Sequence, residues 1–174
     1  METPQPKVWL TTDTHFSHAK MIEKGFRPPD FEQRIVSQWN ERIAPEDTVI
    51  HLGDVIVGED RNLSSVLSIL HGRKILVRGN HDKKSCNWYM QRGFLFACDG
   101  FQHGKVWFTH KPAVFLPPDC LINVHGHLHS DGHRNNEHEL FDWHLLLSLE
   151  ATDYRPVLMH EYVYPALAKL EVCH

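Results

Sequence analysis

Cysteine is scarce in this chain of 174 residues, and its positions are scattered. The sequence contains no C-x-x-C pair, so it predicts neither a zinc ribbon nor a disulfide framework. We expect the thiols to be reduced and to lie mainly in the core. The four cysteines are Cys86, Cys98, Cys120 and Cys173.

Long apolar runs are absent as well, and no stretch approaches the roughly 18 residues of a membrane span. Residues 1–6 lack the basic and apolar regions of a signal peptide, so we expect a cytoplasmic protein with no membrane partner and a flexible first segment. The net charge of −4 and the pI near 6.4 argue against strong binding of duplex nucleic acid. The length fits one domain, over residues 1–174.

Apolar runs alternate with helical patterns in the first half of the chain. The predicted strands cover residues 7–12, 48–52 and 74–77, and the predicted helices cover residues 30–43 and 62–70. Asp30 is the expected N-cap of the first of these helices. This βαβαβ order is typical of a largely parallel sheet with right-handed crossovers, and it indicates an α/β fold.

The second half of the chain is less regular. The pattern predicts helices at residues 83–91 and 164–170 and short strands at residues 94–97, 105–108, 120–124 and 145–149. A proline-rich stretch within residues 111–119 marks an exposed loop.

What the chain has in excess is histidine, at 15 positions. Many of these histidines, with aspartate and asparagine, directly follow a predicted strand, at the sheet edge where open α/β folds bind ligands. Each is a plausible ligand of a divalent transition ion, although a single block such as G-N-H-D is also compatible with a polar turn. The residues at these strand ends are Asp13, His15, Asp54, Asn80, His81, His110, His127 and His129.

In this order, the blocks D-x-H, G-D, G-N-H-D, a strand-terminal histidine and G-H-x-H resemble the calcineurin-like metallophosphoesterase superfamily. The resemblance spans residues 13–129, and the D-T-H-F-S-H run at residues 13–18 is similar to a small single-domain subgroup. It implies an α/β sandwich of central β-sheets flanked by helices, with a metal site at the carboxyl ends of the strands.

The resemblance also implies a ligand set for two divalent ions. One ion would be held by Asp13, His15, Asp54 and His129, and the other by Asp54, Asn80, His110 and His127. Asp54 would thus bridge the pair and take part in catalysis. His81 would stand beside the second ion without binding it, and would contact the phosphate or protonate the leaving oxygen.

The charges in this ligand set suit a phosphate substrate. Two dications facing only two carboxylates leave a formal positive surplus. Two such ions, about 3.5–4 Å apart, can activate a bridging water as hydroxide for in-line attack and stabilise both the attacking and the leaving oxygen. Imidazole and oxygen ligands without thiolate favour Mn, Fe, Zn, Ni or Co, and the sequence does not choose among these metals.

Several neighbouring residues have two interpretations. His18 would contact substrate or make a loop hydrogen bond, and Arg78 would bind phosphate or pair with an acid on the sheet face. His51 is expected in the core, and His125 is expected to support the ligands. Asp82 is expected to orient His81 or to cap the next helix.

The favoured function is a metal-dependent phosphoesterase for a small phosphorylated or nucleotide substrate, since the chain has little spare length for a cap domain. Phosphodiesters are slightly favoured over monoesters because the site would be open. A non-catalytic binding or scaffold module on the same fold is the alternative. A mononuclear zinc site built from histidines 125, 127 and 129 would leave Asp13, Asp54 and Asn80 unexplained. The substrate depends on the loops at residues 111–119 and 130–142, whose shapes the sequence does not give.

Overall fold

Two β-sheets flanked by helices form the centre of the molecule. The computed structural model describes residues 5–58, 60–129 and 140–171, and all structural statements refer to these. The strands are β1 (Val8–Thr11), β2 (Thr48–His51), β3 (Arg73–Val77), β4 (Phe94–Cys98), β5 (Phe101–His103), β6 (Val106–Phe108), β7 (Ile122–His125), β8 (His144–Leu146) and β9 (Val157–Leu158). The helices are α1 (Lys20–Glu23), α2 (Phe31–Arg42), α3 (Leu63–Ile69), α4 (Cys86–Met90), α5 (Met159–Tyr162) and α6 (Tyr164–Glu171).

Most neighbouring strands run parallel. The first sheet has the order β4-β3-β2-β1-β9, in which only β9 is antiparallel to its neighbour. The second sheet has the order β5-β6-β7-β8, in which only β5 is antiparallel. The predicted α/β sandwich with central sheets and flanking helices is therefore confirmed.

Each central strand of the first sheet contributes side chains to two hydrophobic clusters, because successive side chains point to opposite faces. On β2, Val49 belongs to the cluster beneath helices α2, α3 and α4, whereas Ile50 belongs to the cluster between the sheets. Phe108 and Val124 enter that second cluster from the other sheet. Strands buried on both faces give continuous apolar runs, which explains why the sequence pattern predicts β1, β2 and β3.

Helix α2 buries Phe31, Ile35 and Trp39, which recur every four residues along one of its faces. Asp30 is the N-cap residue as predicted, but its side chain makes no capping hydrogen bond and instead pairs with Arg34 at 2.9 Å. The helix is tied to the loop between α3 and β3 by Trp39 Nε1, which donates to the carbonyl of His71 at 2.9 Å.

Some boundaries differ from the sequence prediction. The helix predicted at residues 83–91 is shorter, since α4 covers only Cys86–Met90. It begins there because Ser85 accepts a hydrogen bond from the Trp88 N–H. The strand predicted at residues 145–149 ends at Leu146. Helices α1 and α5 and strands β5 and β9 were not predicted, since two to four residues are too few to show a period.

Other sequence expectations fall partly outside the described residues. These are the flexibility of residues 1–6, the loop at residues 130–142 and the state of Cys173. Cys86, Cys98 and Cys120 are free thiols. Within the described ranges, no helix has the length and apolar character needed to span a bilayer.

Candidate metal centre

The carboxyl ends of strands from both sheets meet at one edge of the sandwich. The loops after β1 and β2 run side by side, with the Asp13 N–H donating to Gly53 O at 2.9 Å and the His15 N–H to Asp54 O at 3.0 Å. The second sheet joins them where the His127 N–H donates to Asp13 Oδ2 at 2.9 Å. The parallel topology therefore brings together motifs that are more than a hundred residues apart.

The backbone at this edge is strained in a consistent way. Non-glycine residues rarely adopt the left-handed conformation, which costs roughly 1–3 kcal/mol each and persists only where the surroundings enforce it. Among the described residues with positive φ are five of the predicted metal ligands, at 48°, 49°, 57°, 71° and 54°. In the same order they are Asp13, His15, Asp54, His127 and His129. Such clustering is typical of a functional site.

Three buried side chains form the first ligand group, Asp13, His15 and His129. Asp13 Oδ1 lies 3.6 Å from His15 Nε2 and 3.6 Å from His129 Nε2. One ligand atom from each side chain lies within 4.8 Å of the others. Three of the four predicted ligands of the first ion are thus close enough to share one cation.

The second group contains Asp54, His110 and His127, again buried. His110 Nε2 lies 3.4 Å from Asp54 Oδ2, 3.2 Å from His127 Nδ1 and 3.0 Å from Asn80 Oδ1. The other ring nitrogen of His110 donates to Leu52 O at 2.7 Å, so in the neutral ring Nε2 carries the free lone pair toward the group.

Asp54 stands between the two groups. Its Oδ2 atom lies 3.4 Å from His110 Nε2 and 3.8 Å from His15 Nε2, whereas its Oδ1 accepts the His81 N–H at 2.7 Å. One carboxylate oxygen is therefore within reach of ligands from both groups. This is the placement that a bridging ligand requires.

The residues at this edge fit divalent cations. Among the described residues, buried Asp13 Oδ1 and His15 Nε2 have no hydrogen-bond partner, an arrangement that is costly unless another group satisfies them. Burial alone would raise the pKa of Asp13, but the positive charge of His110 holds it well below its usual range. Burial opposes protonation of His110, yet Asp13 and Asp54 raise its pKa to about 9. The site therefore attracts positive charge.

Asp82 fixes the position of Asp54. Its buried carboxylate accepts the N–H groups of Asp54 and Gly79, each at 2.7 Å, and that of Val55 at 3.2 Å. The expectation that Asp82 orients His81 or caps the next helix is wrong, since it ties the loop after β2 to the loop after β3 and Ser85 caps α4.

Two further buried histidines lie beside the ligands. His51 accepts the Gly53 N–H at Nδ1 and lies 3.0 Å from Thr14 Oγ1. Burial lowers the pKa of His51 to about 3 and that of His125 to about 4, so both are neutral at pH 7. His51 thus makes the contacts of a satisfied core residue.

His81 and His18 lie at the open side of the first group. The side chain of His81 is 33% exposed, and its Nε2 is 3.9 Å from Asp54 Oδ2. His18 Nδ1 lies 3.3 Å from His15 Nδ1, and the rings of His18 and His81 are 5.8 Å apart. Burial and the neighbouring His15 lower the pKa of His18 to about 4. A substrate at the first group would meet both imidazoles.

Arg78 pairs with an acid, which is the second of the two roles predicted for it. Its guanidinium pairs with Asp99 at 2.5 Å and donates to Lys84 O at 2.6 Å. The positive charge is therefore largely neutralised by a neighbouring acid, although the side chain lines a cavity beside Asn80.

Glu150 and Arg27 support the site and were missed in the sequence. Glu150 Oε1 accepts from His129 Nδ1 at 3.0 Å and from Arg27 Nη2 at 2.6 Å, and Oε2 accepts from Ser148 at 2.7 Å. Although burial opposes ionisation, the hydrogen bond from His129 and the charge of Arg27 hold the pKa of Glu150 well below its usual range. Its place after the predicted strand at residues 145–149 was the available signal.

We expect Glu150→Gln to weaken metal binding roughly 10- to 100-fold, because a carboxylate that orients a ligating imidazole also raises its basicity. Competition with a chromogenic chelator measures this affinity. Glu161→Gln, at an exposed position on α5, is the matched control. Glu150→Gln also removes the charge that pairs with Arg27. Ser148→Ala removes only the hydrogen bond to Glu150 Oε2 and therefore serves as a milder variant. Unchanged metal affinity in folded Glu150→Gln would contradict this role.

Gly126 permits a close approach between the loops after β7 and β1. A methyl group at Gly126 would overlap Thr12 Oγ1 and Asp13 Oδ2. Thr12 Oγ1 donates to the same Asp13 oxygen at 2.6 Å, so the carboxylate has no room to move toward Thr12. Only glycine fits against the metal-facing carboxylate.

Gly126→Ala is therefore expected to displace Asp13, to reduce stability by roughly 1–3 kcal/mol and to weaken metal binding. Gly104→Ala is the control for a general loss of stability, because its φ of +57° strains any other residue while its methyl group would meet nothing within 4 Å. We expect it to leave metal affinity unchanged. Calorimetric titration of both variants with Mn²⁺ tests the difference. Equal affinities would show that the Gly126 contact is unimportant for the site.

Strand ends that carry two adjoining groups of imidazole and carboxylate define an α/β protein with a candidate metal centre. The sequence profile of the calcineurin-like phosphoesterase family matches residues 6–171. The chain therefore belongs to the calcineurin-like phosphoesterases, and the resemblance carried by its strand-end motifs is confirmed.

Relatives extend over most of the chain. An uncharacterised protein of Methanocaldococcus jannaschii is 28% identical over 162 residues, which cover 87% of this chain and 86% of that protein. The gene 66 protein of Mycobacterium phage D29 is 31% identical over 156 residues, covering 71% of this chain and 78% of the phage protein.

Solved structures show the same fold. A protein of unknown function from Aquifex aeolicus has a TM-score of 0.70 at 26% identity, with 90% of this chain and 97% of that chain covered. Nuclease MPE from Pseudomonas putida has a TM-score of 0.51 at 19% identity, with 70% of this chain and 61% of the nuclease covered. At that identity, the likeness to the nuclease shows the fold alone.

Proposed function

We propose that this protein hydrolyses a phosphodiester in a small phosphorylated or nucleotide substrate and requires two divalent transition-metal ions. The observation that carries the proposal is the position of Asp54 Oδ2, which lies within 3.8 Å of ligand atoms in both groups. Two separate structural sites would not need a shared carboxylate. The free thiols are consistent with the cytoplasmic location that we propose.

The predicted ligands would divide into two sets around the shared carboxylate. Asp13, His15 and His129 would hold one ion, His110, His127 and Asn80 the other, and Asp54 both. When bound, the pair supplies a nucleophile at neutral pH and Lewis acidity for an in-line displacement. The neutral Asn80 amide preserves the positive field on phosphorus, because a third carboxylate would cancel part of it.

His81 is placed to serve the leaving oxygen. Its backbone N–H is fixed on Asp54 Oδ1, while its ring reaches the solvent-exposed rim. We assign it the delivery of a proton to the departing alkoxide or aryloxide, with exchange of that proton with solvent through the exposed face. The ring of His18 lies beside it on the same rim and would contact the substrate.

A diester is favoured because there is space for a second substituent on phosphorus. A cavity of about 440 Å³ adjoins Asn80 and His110, on the side of the second group. The single substituent of a monoester is its leaving group, which is assigned to the His81 side, so a monoester would leave this cavity empty. This supports the preference for a diester that the openness of the site first indicated.

A substrate panel with metal analysis tests the proposal. The purified chain is loaded separately with Mn, Fe, Co, Ni and Zn and assayed on aryl monoesters and diesters. We expect two ions per chain, loss of activity on chelation and faster cleavage of diesters. One zinc per chain with no esterase activity would overturn the proposal and favour a structural site. Two bound ions without turnover would favour a scaffold module.

A further inference from the structure

The cavity beside the second ligand group has one strongly apolar wall. Asn80 and His110 stand at its metal-facing end. The wall itself is formed by Trp107, Pro112, Ala113, Val114, Phe115 and Pro117. The polar candidate ligands Asn80 and His110 thus adjoin an aromatic and aliphatic surface. A purely inorganic phosphate would not contact this surface.

The apolar side chains are exposed on an anchored loop. Val114 is 86% exposed and Phe115 is 76% exposed. The preceding residue is held on both sides, since the Ala113 N–H donates to buried Asn123 at 2.9 Å and Ala113 O accepts from His144 at 2.9 Å. Their exposure is therefore built into the fold and leaves a planar aromatic ring available for contact.

An exposed ammonium group lines the same groove. Lys111 directly follows His110 and is exposed, and no carboxylate among the described residues pairs with it. By contrast, Arg78, which lines the same groove, is paired with Asp99. The groove therefore offers an ammonium group next in sequence to His110 and an exposed aromatic ring, which matches a base attached to a phosphate.

We propose that this groove binds the nucleobase of a nucleoside phosphodiester, with Phe115 stacking on the base and Lys111 contacting a phosphate oxygen. The inference rests on the phosphodiesterase function proposed above and names its substrate class. The base belongs to the nucleoside that stays on phosphorus, because His81, which serves the leaving oxygen, lies with His15 and His18 and not on the groove wall.

Two substrates with the same scissile bond test the proposal. Methyl para-nitrophenyl phosphate and thymidine para-nitrophenyl phosphate release the same leaving group and differ only in the retained substituent. We expect the wild-type chain to prefer the thymidine ester, and Phe115→Ala to lower kcat/KM for that ester roughly 10- to 100-fold while leaving the methyl ester unchanged. Phe96→Ala, at an exposed position on β4, is the matched control.

A binding measurement separates this proposal from the proposed function. Saturation-transfer NMR with thymidine monophosphate should show transfer to the base protons in the wild-type chain and a clear loss in Phe115→Ala. Equal hydrolysis of both esters, with no effect of Phe115→Ala, would overturn the base site and leave the esterase intact; a protein-binding surface would give this result. Base contact without hydrolysis of either ester would support the groove while refuting the esterase.

Two sources of the base are distinguished by chain length. A dinucleotide and a short single-stranded oligonucleotide carry the same terminal base. Similar kcat/KM values for both would support a free nucleotide substrate, and a higher value for the strand would support a single-stranded end. Either result must be sensitive to Phe115→Ala, and insensitivity with both substrates would contradict the proposal.

Discussion

Asp54→Asn is expected to lower turnover of bis(para-nitrophenyl) phosphate by several orders of magnitude in a chain that remains folded. The substitution keeps the shape of a buried side chain and removes its charge. If the new amide oxygen keeps the hydrogen bond from the His81 N–H, its NH₂ group takes the place of Oδ2. A donor would then face His15 and His110 where both ligand groups now share an anionic oxygen.

Rate and metal content must be measured together on this variant. The steady-state rate with saturating Mn²⁺ gives the loss of turnover, and elemental analysis gives the number of ions retained. Asp30→Asn removes an exposed carboxylate on the surface of α2 and should change neither quantity. A near-normal rate in Asp54→Asn would refute the assignment of Asp54 as the shared ligand.

Much of the site could be predicted from the sequence because its residues directly follow buried strands. Strands β1, β2 and β3 are buried on both faces, so each is a short apolar run with a sharp end. Their parallel order places every carboxyl end at the same edge. Asp13, Asp54 and Asn80 therefore had to lie close together once the topology was recognised.

Features that depend on distant contacts could not be read in the same way. Arg27 reaches Glu150 across 123 positions, and no local pattern indicates the pairing. The sequence leaves two candidate uses for Asp82, and only the folded chain shows that its carboxylate accepts the N–H groups after β2. The left-handed backbone of the ligands is similarly enforced from outside, since aspartate and histidine do not favour it strongly enough to predict it.

The two predicted roles of His81 differ in what they demand of the substrate. An electrostatic role stabilises charge on the phosphate and applies equally to every leaving group. Proton donation matters most for a leaving group that is a poor anion, such as an alkoxide. The exposed position of the ring, 3.9 Å from Asp54 Oδ2, allows it to regain a proton from solvent after each turnover.

His81→Ala is accordingly expected to retain both ions and to lose roughly 10²–10⁴-fold in rate, the range for removal of an acid–base group. We expect the loss to be larger for an alkyl diester than for a para-nitrophenyl diester. His103→Ala, an exposed histidine on β5, is the control for a general effect of losing an imidazole. An equal loss for both leaving groups would identify an electrostatic role. Loss of metal from His81→Ala would instead place His81 among the ligands, a result that its absence from both ligand groups found among the described residues argues against.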